Sequence, residues 1–161
     1  MSHPPRDGGF TLIELLVTMS LMGVMMAIAV SGWSSWAKAS EQSGAAHDLQ
    51  SLLRNTQQRA VTEGQSMCVR FDTVANTYVV LRGRCDVAVD VVQGATKAAS
   101  GNVRLASPDF TAPGPPEVSG KTAVEFTSRG TAWRGSVKLA RPGATDETIT
   151  IEGLTGRATL D

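Results

Sequence analysis

The chain has 161 residues, fifteen Lys plus Arg against fifteen Asp plus Glu, and 5% aromatic residues. That length accommodates one domain with a modest core. The two charge signs remain equal in number beyond residue 40, so a partner selected by net charge is excluded and any nucleic-acid role would need local patches.

In chain order, the first element is an apolar run from Phe10 to Val30, FTLIELLVTMSLMGVMMAIAV, whose only charge is Glu14. As a helix rising about 1.5 Å per residue it reaches roughly 31 Å, enough for a hydrocarbon core of about 30 Å. The preceding MSHPPRDGG is short, polar and broken by Pro4 and Pro5, unlike a secretory signal, and no A-x-A-like cleavage site follows the run. The run is therefore read as retained. Glu14 has two readings. It can be an interfacial anion favoured by the helix N-terminus, or a buried carboxylate that needs a cation, because an unpaired one at mid-membrane costs about 2.5–3.5 kcal/mol or more. A cut between Gly9 and Phe10 would create such a cation, an α-amino group about one helical turn before Glu14. The stripe Gly23, Ala27 and Ser31 permits close helix approach, and the methionines at 19, 22, 25 and 26 read as adaptable packing.

The stretch Gly8-Gly9-Phe10-Thr11-Leu12-Ile13-Glu14-Leu15-Leu16, after a short leader containing Arg6, resembles the N-terminal signature of type IV prepilins and type II secretion pseudopilins. The resemblance implies that a prepilin peptidase removes residues 1–9 after Gly9 and methylates Phe10. It also implies that Glu14 neutralises the terminal amine of a neighbouring subunit as the helix passes from the membrane into a filament. Where many members carry a kinking proline, this chain has Ser31-Gly32, which weakens a helix by less than the roughly 3 kcal/mol of proline.

Beyond the tryptophan-bearing SGWSSWAKAS, residues 41–63 place Ala45, Leu49, Leu52, Leu53, Thr56, Ala60 and Val61 near one helical face, and Gly64 supplies a stop. Strands are expected at 66–71, 77–82, 87–92, 102–106, 122–127, 131–140 and 148–153, with GATKAASG and SPDFTAPGPPEVSG as loops. A long helix followed by an antiparallel sheet is an α+β arrangement, the helix laid on one face. Three domain-level parts are expected: a leader at 1–9, a membrane-spanning and filament-core helix at 10–36, and a globular head at 37–161.

The segments LRNTQQRAVTEGQSMCVRFD, AVEFTSRGTAW and TIEGLTGRATL resemble the GspH/FimT branch of minor pilins and pseudopilins. This implies a pilin-like fold and a structural subunit that helps to initiate or cap a type IV pilus or a type II secretion pseudopilus. Its partners would be prepilin peptidase, other pilins or pseudopilins through the N-terminal helix, and the cytoplasmic membrane, which it crosses once with the head outside the cytoplasm. Some FimT proteins bind DNA through a terminal Gly-Arg-x-Arg; here Gly156-Arg157 is followed by Ala158-Thr159, so the second arginine is missing. The alternative function is a tip pilin that captures DNA with Arg129, Arg134, Lys138, Arg141 and Arg157, against the bland reading that these are scattered solubilising charges among Asp146, Glu147, Glu152 and Asp161.

Cys68 and Cys85 are the only cysteines. In an exported domain they could close a disulfide worth about 3 kcal/mol; the alternative is one buried thiol and one loop thiol. His47 beside Asp48 reads as a solvated helix face, and with no CxxC or HExxH the parts of a metal site or a histidine-activated nucleophile are missing. The chain reads as a peptidase substrate rather than an enzyme, and the reading calls for no cofactor or metal.

Overall fold

The computed structural model describes residues 10–87, 90–97, 102–114 and 118–161. One α-helix, α1, runs without interruption over Leu12–Glu63. Residues 31 and 32 are helical, so the Ser31-Gly32 pair does not end it: glycine weakens a helix but keeps the N–H that proline lacks. The helix stops at Gly64, whose φ of 65° suits a residue without a side chain. There the Gly64 N–H donates to the Val61 carbonyl (3.3 Å) and the Gln65 N–H to the Ala60 carbonyl (3.2 Å), a Schellman-type cap. By internal contacts the chain divides into two compact units, residues 1–38 and 39–161.

Nine strands follow: β1 (Met67–Asp72), β2 (Thr77–Arg82), β3 (Asp90–Lys97), β4 (Arg104–Ala112), β5 (Val118–Lys121), β6 (Ala123–Phe126), β7 (Arg134–Ala140), β8 (Glu147–Ile151) and β9 (Ala158–Leu160). They form two antiparallel sheets, β3-β2-β1-β6 and β5-β4-β7-β8-β9, where the sequence suggested one. The fold class is α+β, with the second half of α1 sharing a core with both sheets.

On the head portion of α1, Gln42, Ala45, Ala46, Leu49, Leu53, Thr56 and Ala60 are buried, at the three- and four-residue steps of one helical face. Val61, expected on that face, is exposed. Leu49 and Leu53 share one buried cluster with strand residues such as Val69, Val124, Phe126, Val137 and Ile149, and each buried leucine contributes about 1.5–3 kcal/mol. Phe71 of β1 stacks on Phe110 of β4 at 5.7 Å between ring centroids, joining the two sheets through the core.

Four segments depart from expectation. Strand β4 runs through the expected SPDFTA loop. Leu105 and Phe110 are both buried although a regular strand would put residues an odd number apart on opposite faces. Between Ala106 and Asp109 the register against β7 slips, the partners being Lys138 and Ser136, so β4 carries one extra residue there. That bulge, with Ser107 at φ 45°, accommodates Pro108 and restores Phe110 to the core. Strand β3 extends through Gly94–Lys97, expected as loop, because Thr77 and Tyr78 of β2 pair with Lys97 and Thr96. Strand β5 lies in the proline-rich segment and pairs with β4 through Phe110 to Lys121 and Ala112 to Val118. Residues 131–133, expected within β7, instead close the seam between sheets: Ala132 bridges Phe126, and the Ala132 N–H donates to the Gly153 carbonyl at 2.8 Å.

Polar side chains of α1 complete the attachment. Gln42 Nε2 donates to the carbonyls of Leu139 (3.0 Å) and Thr145 (2.8 Å). Gln50 Nε2 and Arg54 Nη2 both donate to the Ala158 carbonyl on edge strand β9, at 3.2 and 3.1 Å. Gln57 Nε2 donates to the carbonyls of Gly130 (3.0 Å) and Thr155 (2.7 Å). Positions 42, 50, 54 and 57 therefore hold strands β7 and β9 and the neighbouring turns through backbone oxygens.

Candidate functional site

The N-terminal unit presents the most distinctive surface. From Leu12 to Val30 the helix is apolar, long enough to cross a membrane and wholly unburied. Its hydroxyls are turned inward onto the backbone: Thr18 Oγ1 donates to the Leu15 carbonyl (3.0 Å) and Ser20 Oγ to the Leu16 carbonyl (2.8 Å). That removes their need for water and lowers the cost of placing the segment in lipid.

Phe10 precedes the helix and is 82% exposed; Gly9 and the expected leader lie outside the described residues. Thr11 is the N-cap, its Oγ1 accepting from the Glu14 N–H at 3.3 Å. Thr11-Leu12-Ile13-Glu14 thus has the T-x-x-E spacing of a capping box, with Glu14 at N3, where the helix dipole favours an anion. The sequence reading missed Thr11, although that four-residue spacing was the signal that could have found it. Glu14 is exposed and stands four residues after Phe10, so its carboxylate is accessible to a partner cation.

In the head, the five basic residues named as DNA contacts are four exposed side chains and one that is buried. Arg129 and Arg157 are exposed on the β6–β7 and β8–β9 turns, which Gln57 ties together through Gly130 and Thr155. Arg134 and Lys138 are exposed on the outer face of β7, two strand repeats apart. Around Arg134 lies an open hollow of about 630 Å³, lined also by Asp109, Thr111, Thr150, Glu152 and Leu154, so both charge signs share it. Arg141 is a correction. Its side chain is only 6% exposed and forms an ion pair with Glu41 of α1, so it anchors the helix instead of offering a phosphate contact.

Gly156 has a structural reason to be glycine. Its φ is 64°, and a Cβ there would collide with the Gly130 carbonyl oxygen and lie 2.5 Å from Gln57 Nε2. The glycine lets the β8–β9 turn sit against the helix amide, whatever Arg157 does.

Cys68 and Cys85 are joined by a disulfide with an S–S distance of 2.03 Å. Cys68 is buried with Leu81 in a small cluster on the sheet face turned away from the main core. Glu125, across from Cys68 in β6, accepts from the Cys85 N–H through Oε2 at 3.0 Å, and Arg70 Nη2 donates to the Cys85 carbonyl at 3.4 Å. His47 is exposed on α1, and among the described residues no group of three His, Cys, Asp or Glu side chains is placed to hold a metal ion.

Comparison with known proteins agrees with this division of the chain. Residues 4–30 match the prokaryotic N-terminal methylation motif, and residues 45–155 match the type II transport protein GspH family. The type IV major pilin protein PilA of Myxococcus xanthus is 40% identical over 48 residues, which are 30% of this chain and 22% of that protein. Among solved structures, the type IV minor pilin FimU of Pseudomonas aeruginosa superposes with a TM-score of 0.59 at 13% identity, covering 78% of this chain and 92% of that one. The minor pseudopilin EpsH from the type 2 secretion system of Vibrio cholerae gives a TM-score of 0.55 at 17% identity, covering 75% and 94%.

Proposed function

The chain belongs to the type II transport protein GspH family and is a subunit of the minor pilin and pseudopilin class; from that premise we propose that it helps to initiate or cap a type IV pilus or type II secretion pseudopilus. Residues 1–9 are the leader, residues 10–36 the membrane and filament-core helix, and residues 37–161 the head. Prepilin peptidase cuts after Gly9 and methylates Phe10. Until assembly the subunit crosses the cytoplasmic membrane once, with the head outside the cytoplasm, and it joins other pilins or pseudopilins through its N-terminal helix.

The observation that carries this reading is the unburied apolar helix with one carboxylate in its first turn, four residues from the new amino terminus. In the membrane Glu14 rests at the interface, where the helix start and the headgroups tolerate it. In the filament, water is excluded and the attraction between Glu14 and the Phe10 amine of a neighbour grows as the dielectric falls. The role is structural, the chain being a substrate of the peptidase and not itself an enzyme.

The test is Glu14→Gln. Membrane insertion should be retained, since insertion penalises the carboxylate, and leader removal should continue because the peptidase reads the glycine junction. Assembly should fail, a buried amine left unpaired costing about 3–5 kcal/mol. Processed protein confined to the membrane fraction is the expected result; Glu14→Gln in filament fractions at wild-type level would refute the pairing.

A further inference from the structure

Trp33 and Trp36 follow the apolar span by three and six residues and lie on one helical face, with ring centroids 5.7 Å apart. They are 71% and 64% exposed, a large paired aromatic surface. Exposed apolar surface of this kind marks contact with a protein or a membrane, and their place on the helix favours the membrane. At 3.6 residues per turn, Trp33 continues the line of Met19, Met22, Met26 and Val30, all exposed. The small residues Gly23 and Ala27, where another helix could approach closely, lie about a quarter turn away. The tryptophan line therefore carries long side chains and faces lipid when the small-residue face is occupied.

Indole combines an apolar ring with one N–H donor, so it prefers the boundary between hydrocarbon and headgroups to either side of it. The spacing suits that boundary. Glu14 to Trp33 is about 28 Å of helix and Glu14 to Trp36 about 33 Å, bracketing a hydrocarbon thickness of about 30 Å. The carboxylate and the indoles thus fall at opposite interfaces of a single bilayer.

We propose that Trp33 and Trp36 form an interfacial lipid anchor that fixes the depth at which the subunit is held in the membrane before assembly, opposite Glu14. This rests on the membrane-spanning reading of the N-terminal helix. The anchor sets the depth of the helix, and it must be drawn out of the headgroup layer when the subunit leaves.

The test places the full chain in phosphatidylcholine vesicles at low protein density, with lipids brominated either near the headgroup or near the chain end. Subtracting the emission of the Trp33→Phe/Trp36→Phe double variant, which retains Trp133, isolates the pair. Shallow bromines should quench it at least about twofold more than deep ones, as for interfacial tryptophan. Stronger quenching by deep bromines would put the indoles inside the hydrocarbon and overturn the anchor. So would an absence of quenching by either lipid while the protein still floats with the vesicles and resists alkaline extraction, which would leave the spanning helix standing. Failure to float with vesicles would overturn the spanning reading itself, and the anchor with it.

Discussion

Gly156→Ala should destabilise the head far more than an exposed-turn substitution does. The left-handed backbone at φ 64° costs an L-residue about 1–2 kcal/mol. The new methyl also displaces Gln57, which loses its two hydrogen bonds to the Gly130 and Thr155 carbonyls, each worth about 1 kcal/mol. The sum is at least about 3–4 kcal/mol, since the collision with the Gly130 carbonyl oxygen adds to it. Gly143 supplies the control, because its φ is 82° but nothing stands within 4 Å of a Cβ, so Gly143→Ala should cost only the backbone part, about 1–2 kcal/mol. Urea unfolding of the 39–161 unit under non-reducing conditions measures both. With a slope of about 2 kcal/mol per molar, the Gly156→Ala midpoint should fall by at least about 1.5–2 M. In a Gln57→Ala background the share due to Gln57 disappears, giving a coupling of about 1–2 kcal/mol between the two positions. Equal losses for Gly156→Ala and Gly143→Ala, or a coupling near zero, would refute the claim that the helix amide and this glycine form one joint.

Reducing the Cys68–Cys85 bond, which spans 17 positions, should lower head stability by about 3 kcal/mol. An unchanged urea midpoint with both thiols alkylated would contradict this. Tyr78 is the only tyrosine, and burial first, then the charge of Asp48, raises its phenol above 10. The stability gained from keeping it neutral is full below pH 10 and is lost as pH rises through the folded value. Ultraviolet titration should show a higher midpoint folded than in urea, and Asp48→Asn should bring the folded midpoint down; coincident folded and unfolded curves would oppose it.

What the sequence made legible follows from how local each cause is. The apolar run, the Gly64 stop and the alternating β1 and β2 depend on residues within a turn or a hairpin, so pattern alone finds them. Strand β4 was half hidden because Pro108 reads as a breaker, and only the partner strand shows that a bulge absorbs it. The division into two sheets depends on the Phe126 to Ala132 bridge and on Gly153, a seam without a local signature. Arg141 follows a strand and reads as a surface cation; its partner Glu41 is a hundred positions earlier, and nothing nearby announces the pairing. Gly156-Arg157 looked like part of a binding motif, yet the need for glycine there arises from Gln57 across the fold.

The proposed role depends on delivery of a cut and methylated helix from the membrane to a filament. Intact-mass measurement of the protein extracted from membranes of a host with active prepilin peptidase tests this most directly. The predicted mass lacks residues 1–9 and carries one additional methyl group, with fragmentation placing it on Phe10. Recovery of only the unprocessed chain would contradict the account.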